Sequence, residues 1–292
     1  MVFLCYNLIM KSGFVVLAGR SNVGKSTLLN ALVGSKVAIV TPKPQTTRRP
    51  VRGILHDARG QIVFVDTPGI FMGKKDPLSR RLNDIVREQL DGIDAIVYVM
   101  DPTRKPGPEE ETIQRLLRKL TTPIIVFVNK NDLPDEEARF RTEVRATDIG
   151  QRMMVEGSAA THQHIQKLTD ALFALLPEGE AYYPEKQLTD MSNTEWLGEL
   201  IREKVFLHLR EEIPYSTHVE VTDVQKRGDT QYVAATIWTT EDRYKGMIIG
   251  TKAQMLKSIG ADARKELEMA TNQNAFLDLI VDVDPKWQQR FT

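Results

Sequence analysis

Residues 19–26 read Gly19-Arg20-Ser21-Asn22-Val23-Gly24-Lys25-Ser26, the spacing G-x-x-x-x-G-K-[ST]. Such a loop suits a polyphosphate. Its backbone N–H groups and the start of the following helix favour anions, and Gly24 lets the backbone come close. Lys25 supplies a cation to the outer phosphates, and the Ser26 hydroxyl can ligate Mg²⁺. Two later segments narrow the ligand. Asp66-Thr67-Pro68-Gly69 offers a carboxylate for Mg²⁺ and a glycine N–H for a γ-phosphate. Asn129-Lys130-Asn131-Asp132 is N-K-x-D. The Asp132 carboxylate can accept from guanine N1–H and N2–H₂. Adenine lacks that donor pair, so a carboxylate left unpaired would reject it. The stem of Lys130 can lie over the base. Ser158-Ala159-Ala160 can present an N–H to the guanine O6.

These residues need rigid elements to hold them. The apolar runs 14–18, 62–66, 95–99 and 124–128 read as buried strands, with shorter strands at 51–55 and 153–155. Thr27 to Leu32 is a helical stretch directly behind the loop, and strand–loop–helix is the setting the motif requires. Pro108 followed by Glu109, Glu110 and Glu111 marks a helix start. Strands alternating with helices predict a doubly wound α/β sheet. Beyond Pro177-Glu178-Gly179 a polar stretch reads as a linker. The order then changes to helix, two strands around Arg227-Gly228-Asp229, helix, helix and strand. Trp196 and Trp238 are expected on core faces.

With those segments in view, the chain resembles the P-loop GTPases, and among them the Era family. The resemblance rests on GRSNVGKSTLLNALVG, PQTTRRPVRGI, IVFVDTPGI, VNKNDL, LLPEG with YYPEKQLTD, and EEIPYSTHVEV, which together span nearly the whole chain. It implies a doubly wound P-loop GTPase sheet followed by a smaller α+β KH domain of type II. The expected division is an extension over 1–10, a GTPase domain over 11–180, a linker over 181–191 and a KH-like domain over 192–292. It further implies GTP turnover to GDP and phosphate with Mg²⁺, and binding of small-subunit 16S rRNA near its 3′ end during ribosome maturation. The nucleotide contacts would come from residues 19–27, Asp66, Thr67, Pro68, Gly69, Asn129, Lys130, Asp132, Ser158, Ala159 and Ala160. The metal would lie on Ser26, Thr47 and Asp66, with Thr46 as the fallback for Thr47. Catalysis would rest on Lys25, Thr47, Asn22 and Gly69. Ile70 stands where many GTPases carry a glutamine, so intrinsic turnover should be slow. Asn22 marks GTPases that use K⁺ in place of an arginine finger; the competing reading is an asparagine that stabilises a turn. Thr41 to Arg49 has the composition of a mobile switch, with Arg48 and Arg49 as exposed loop charges.

A KH domain clamps nucleic-acid backbone with a G-x-x-G loop. Here that loop is Gly250-Thr251-Lys252-Ala253, with alanine replacing the second glycine. A helix start tolerates alanine, so the clamp is expected to survive, extended by Lys245 and Lys257. The bulk charge gives no help. Net charge is zero, and residues 1–180 hold 25 Lys+Arg against 21 Asp+Glu while 181–292 hold 14 against 18. Any RNA site must be a local patch. The alternative is that the altered domain binds protein or membrane instead.

One cysteine, Cys5, excludes a disulfide framework, and no apolar run reaches the roughly 18 residues of a membrane span. The expected setting is a cytoplasmic monomer, with peripheral association at the inner face of the cell membrane as a secondary setting. The first nine residues are apolar without a basic lead, so Met10 is the expected true start. Era proteins usually continue further beyond the position of Trp287.

Overall fold

The computed structural model describes residues 10–44, 46–68, 92–146 and 153–288. Residues 1–9 of the expected N-terminal extension, Gly69 and Ile70 lie outside them. Two compact units emerge: residues 1–38 with 47–190, and residues 39–46 with 191–292.

The first unit is built on a six-stranded sheet. Its strands are β1 (Lys11–Ala18), β2 (Val51–Asp57), β3 (Gly60–Asp66), β4 (Ala95–Met100), β5 (Ile124–Val128) and β6 (Met153–Glu156), in the order β2-β3-β1-β4-β5-β6. β2 runs antiparallel to β3, and the other pairs are parallel. Every residue of β3, β4 and β5 is buried, as expected of parallel strands covered on both faces. The helices are α1 (Lys25–Val33), α2 (Pro108–Leu117), the short α3 (Arg141–Arg145) and α4 (Ile165–Leu175). Ile113 and Leu117 of α2 pack against Val16, Ile96, Tyr98 and Val126. β1 lies between β3 and β4, so the loop leaving β1 opens where the chain winds away in both directions, the usual ligand crevice of such sheets.

The stretch expected to be a linker is instead tied to the first unit. The buried Gln61 side chain accepts from the N–H groups of Tyr182 and Tyr183 and donates to the Tyr183 carbonyl. Ile54 N–H donates to Leu188 O at 2.9 Å, Gly53 bridges to Thr189, and Arg52 pairs with Asp190. Residues 187–190 thus run along the outer side of β2.

The second unit contains α5 (Asn193–His208), β7 (Thr217–Arg227), β8 (Thr230–Thr239), α6 (Asp242–Ile249), α7 (Gln254–Thr271) and β9 (Asn274–Val283). α5 starts at a capping box formed by Ser192 and Glu195. The sheet order is β7-β8-β9, antiparallel then parallel. Its inner face (Val219, Val233, Ala235, Ile237, Ala275, Val281) packs against Leu200, Ile201, Ile259, Ala263 and Leu267 of the helices. Trp196 packs at the border of this core. Trp238 does not fulfil its expected role. Alternation along β8 puts Val233, Ala235 and Ile237 inside, so Trp238 stands on the outer face with Tyr232.

Residues 39–46 belong to this unit through α5. The Arg202 guanidinium, 2% exposed, donates to Thr46 O at 2.7 Å and is held by Glu199. Glu203 accepts from Val40 N–H. The Lys43 ammonium caps the carbonyls of Phe206 and Leu209 at the negative end of α5. The segment expected to behave as a mobile switch is therefore half anchored.

Candidate active site

Gly24, at φ 96°, ends the loop and caps α1 in the left-handed region. A Cβ there would collide with the Asn129 amide, so only glycine fits. α1 has no side-chain cap, which leaves its N-terminal N–H groups facing the loop. Asn22 also has a left-handed backbone, φ 62°, a conformation asparagine tolerates.

Lys25 is 6% exposed, and its ammonium donates to Gly19 O (3.1 Å) and Arg20 O (3.0 Å). Burial pushes its pKa down, against the opposing pull of Asp66 and Glu110. The Arg20 side chain turns away from the loop. It donates to Asp101 O, Arg104 O and Lys105 O and forms a 3.0 Å ion pair with buried Glu110, which also accepts from Tyr98 Oη. Arg20 can therefore offer a nucleotide only its backbone. Glu110, expected merely as part of a helix start, anchors the loop through Arg20.

The three metal candidates converge. Ser26 Oγ donates to Asp66 Oδ2 at 2.5 Å and lies 3.2 Å from Thr47 Oγ1, which itself lies 3.4 Å from Asp66 Oδ2. Asp66 is fully buried, and burial raises its pKa against Lys25, Ser26 and Thr47. Its Oδ1 has no hydrogen bond among the described residues. Two hydroxyls beside a buried, under-satisfied carboxylate are hard oxygen donors that fit Mg²⁺. Thr46, the fallback, is committed elsewhere: its hydroxyl meets Thr41 at 2.6 Å and its carbonyl takes Arg202. Thr67 bonds the Leu17 carbonyl and fixes the end of β3 against β1.

Asn129 follows β5 directly. Its Nδ2 donates to Val23 O (2.9 Å) and its Oδ1 accepts from Ala159 N–H (2.9 Å), which clips the phosphate loop to the Ser158–Ala160 turn. Ser158 N–H is spent on Gln163 O. Of this turn, Ala160 is left to meet a base oxygen. Lys130 has φ 61°, and its ammonium lies 2.7 Å from Asp101 Oδ2. Asp101 is a residue the sequence reading passed over. Burial opposes its ionisation, but bonds from Lys130 and Thr103 outweigh this and hold its pKa low. The available signal was a carboxylate at the end of a buried strand, as at Asp66. Asp132 is exposed beside this platform. His164 caps α4 with a left-handed backbone, and no cluster of metal-binding side chains of the His, Cys, Asp and Glu type occurs among the described residues.

In the second unit, the Gly250–Ala253 loop joins α6 to α7. Gly250, Lys252 and Ala253 all have positive φ (72°, 51° and 58°). Ala253 is thus not the first helical residue but a left-handed cap, and its tolerance cannot be credited to helix propensity. We expect Ala253→Gly to stabilise the protein by about 0.5–1 kcal/mol, because the left-handed cost to alanine slightly exceeds the flexibility glycine adds to the unfolded chain. Urea denaturation of the second unit checks this; a lower midpoint would refute the strain. Thr251, Lys252 and Lys257 are exposed. Lys245 is engaged differently, ion-paired to Asp282 of β9 at 3.0 Å.

Comparison with known proteins supports this two-part reading. Residues 14–130 match the family described as 50S ribosome-binding GTPase, and residues 212–288 match the KH domain family. The GTPase Era of Carboxydothermus hydrogenoformans is 40% identical over 286 residues, covering 96% of this chain and 95% of that protein. The chain belongs to the Era family of GTPases. The GTPase Era of Halothermothrix orenii is 39% identical with similar coverage. Two solved Era structures each superpose with a TM-score of 0.88 over 96% of both chains. One is a single-residue variant of Aquifex aeolicus Era bound to GDP·AlF4⁻, at 36% identity. The other is Era in complex with MgGDPNP and nucleotides 1506–1542 of 16S ribosomal RNA, at 35% identity.

Proposed function

We propose that this Era-family GTPase uses GTP binding and hydrolysis to time the attachment of its KH-like domain to small-subunit rRNA near the 3′ end, in support of small-subunit maturation. The observation that carries the reading is the full-length likeness to an Era bound to a GTP analogue and 16S RNA together. The family description that names the 50S particle matches only residues 14–130, so it says nothing of the RNA-facing domain. The chain works as a cytoplasmic monomer, and the inner face of the membrane is a secondary, peripheral partner.

In this mechanism the loop N–H groups of residues 19–27 and the start of α1 receive the phosphates. Lys25 moves from its two carbonyls onto the outer phosphates. Ser26, Thr47 and Asp66 would hold Mg²⁺, which when bound would supply positive charge beside the phosphates. Asp132 reads the guanine edge, Lys130 covers its face from the Asp101 anchor, and Ala160 N–H meets O6. Gly69 donates to the γ-phosphate by family resemblance. Ile70 cannot orient water, so the attacking water depends on other groups.

Asn22 is the candidate for a K⁺ ligand. If it serves that role, turnover in KCl exceeds turnover in NaCl by at least roughly tenfold, a gain within reach of one added transition-state charge. Asn22→Ala then abolishes the difference. Equal rates in both salts would leave Asn22 as a turn residue only.

RNA attachment is tested by titrating a labelled small-subunit rRNA 3′-end oligonucleotide with GTP analogue and with GDP across a salt series. The expected result is GTP-favoured binding whose log affinity falls with log salt by about 0.7 per phosphate contact. No binding in either state would overturn the RNA part of the proposal and leave the GTPase part standing.

A further inference from the structure

The outer face of the β7-β8-β9 sheet breaks the usual alternation. A sheet face that meets water normally carries polar side chains. Here cross-strand pairing brings Tyr232 opposite Phe276, Thr236 opposite Ile280, and Trp238 opposite Asp282. Phe276 is 52% exposed and Ile280 is 56% exposed. Neither packs in the core, which β9 meets through Ala275, Leu277, Leu279 and Val281.

The patch is ordered. The rings of Tyr232 and Phe276 stack at 5.3 Å and 10° between planes, and the Arg227 guanidinium lies 4.0 Å over Tyr232. Carboxylates fix the aromatics: Asp278 accepts from Tyr232 Oη (3.0 Å) and Glu220 from Trp238 Nε1 (2.7 Å). Rigid aromatic side chains that lose little entropy on contact are the common anchors of protein interfaces. Large exposed apolar side chains held on an ordered face suit a docking site.

Charge selects the occupant. Glu220 and Asp278 share this face with Asp223 beside them, against Arg227 over Tyr232, and Asp282 is taken by Lys245; Lys252 and Lys257 sit at the α6–α7 loop and on α7. Glu220, Asp223 and Asp278 therefore outnumber the Arg227 cation on this face. A phosphate backbone would be repelled here, whereas a cationic chain would be drawn in.

We propose that this sheet face is a docking surface for a Lys/Arg-rich protein segment carrying apolar side chains, supplied by a protein component of the RNA particle to which the Gly250–Ala253 loop of the same domain attaches. The particle's identity rests on the function proposed above.

The test uses the full chain with a benzophenone photocrosslinker in place of Phe276, and purified small ribosomal subunits as the probe. The expected crosslink maps by mass spectrometry to a Lys/Arg-rich stretch of one subunit protein. Phe276→Ser combined with Ile280→Ser should weaken subunit binding about 30-fold, the loss typical of two anchor residues, and leave binding of the rRNA oligonucleotide unchanged. Asp278→Lys, an exposed single change, should weaken subunit binding in the same direction and guards against a folding defect in the double variant. A crosslink to RNA, to a second copy of this chain or to nothing overturns the proposal, as do variants that bind the subunit like the parent. If the parent binds the subunit but crosslinks no protein, only the docking surface falls. If it binds neither oligonucleotide nor subunit, the functional reading falls with it.

Discussion

Asp132→Asn should weaken GTP binding about 10³-fold, because two hydrogen bonds from guanine to a charged acceptor are worth about 1.5–3 kcal/mol each and both are altered. The sign of the change is set by donors and acceptors. Asparagine presents one acceptor and one donor, so its NH₂ faces the guanine N2 amino group, donor against donor. Xanthine carries an oxygen at that position and accepts from the same NH₂. The variant should therefore prefer xanthosine triphosphate over GTP. Competition against a fluorescent GDP, run with both triphosphates, gives the two affinities. Asp132 is exposed and takes no part in the core, so folding should be unaffected. Unchanged GTP affinity would refute the assignment of the base platform.

Lys25→Ala should lower GTP turnover by about 10²–10³-fold, the usual cost of removing one preorganised cation or donor from a site of developing charge. The ammonium is buried and already aimed at the loop by the carbonyls of Gly19 and Arg20. Little reorganisation is then needed to bring it to a phosphate. Burial also gives a pH signature. With its pKa below the ordinary lysine value, the free protein releases this proton earlier than an exposed lysine would. A bound polyphosphate favours the charged form and pulls the pKa back up. Nucleotide affinity should be greatest below the pKa of the free protein and fall as pH rises from there to the higher pKa of the bound form. Isothermal titration across a pH series measures this in the parent. In Lys25→Ala the decline should disappear along with the turnover, apart from the loss that follows deprotonation of guanine N1–H itself, and its persistence below that point would mean that another group carries the charge.

The placement of the candidate nucleotide residues was legible because they hang from strands that leave no choice. β3 and β5 are buried throughout, so Asp66 and Asn129 had to emerge at their ends. What the sequence hid were outcomes set by direction. Both faces of β8 carry large side chains, so composition could not say whether Trp238 points in or out; the parity of Val233, Ala235 and Ile237 decides it. Arg20 lies inside the loop motif, yet its side chain goes to Glu110, a partner far along the chain that no local pattern indicates. Ala253 looked like a helix start because alanine forms helices, whereas the corner before α7 requires left-handed residues. Thr46 and Thr47 are adjacent and chemically alike. Only the bonds that Thr46 makes to Arg202 and Thr41 separate their roles.

The strip formed by residues 187–190 beside β2 bears on whether that sheet edge is open to another chain. β2 ends the six-stranded sheet, and its backbone would otherwise be an open row of donors and acceptors, the template on which chains pair and aggregate. Ile54 N–H is already taken by the Leu188 carbonyl and Gly53 bridges to Thr189, while the Arg52 side chain pairs with that of Asp190. The strip thus covers part of an edge on which another strand could otherwise pair. A truncated first unit cut at residue 180 should precipitate or dimerise through β2. One cut after Asp190 should remain dispersed.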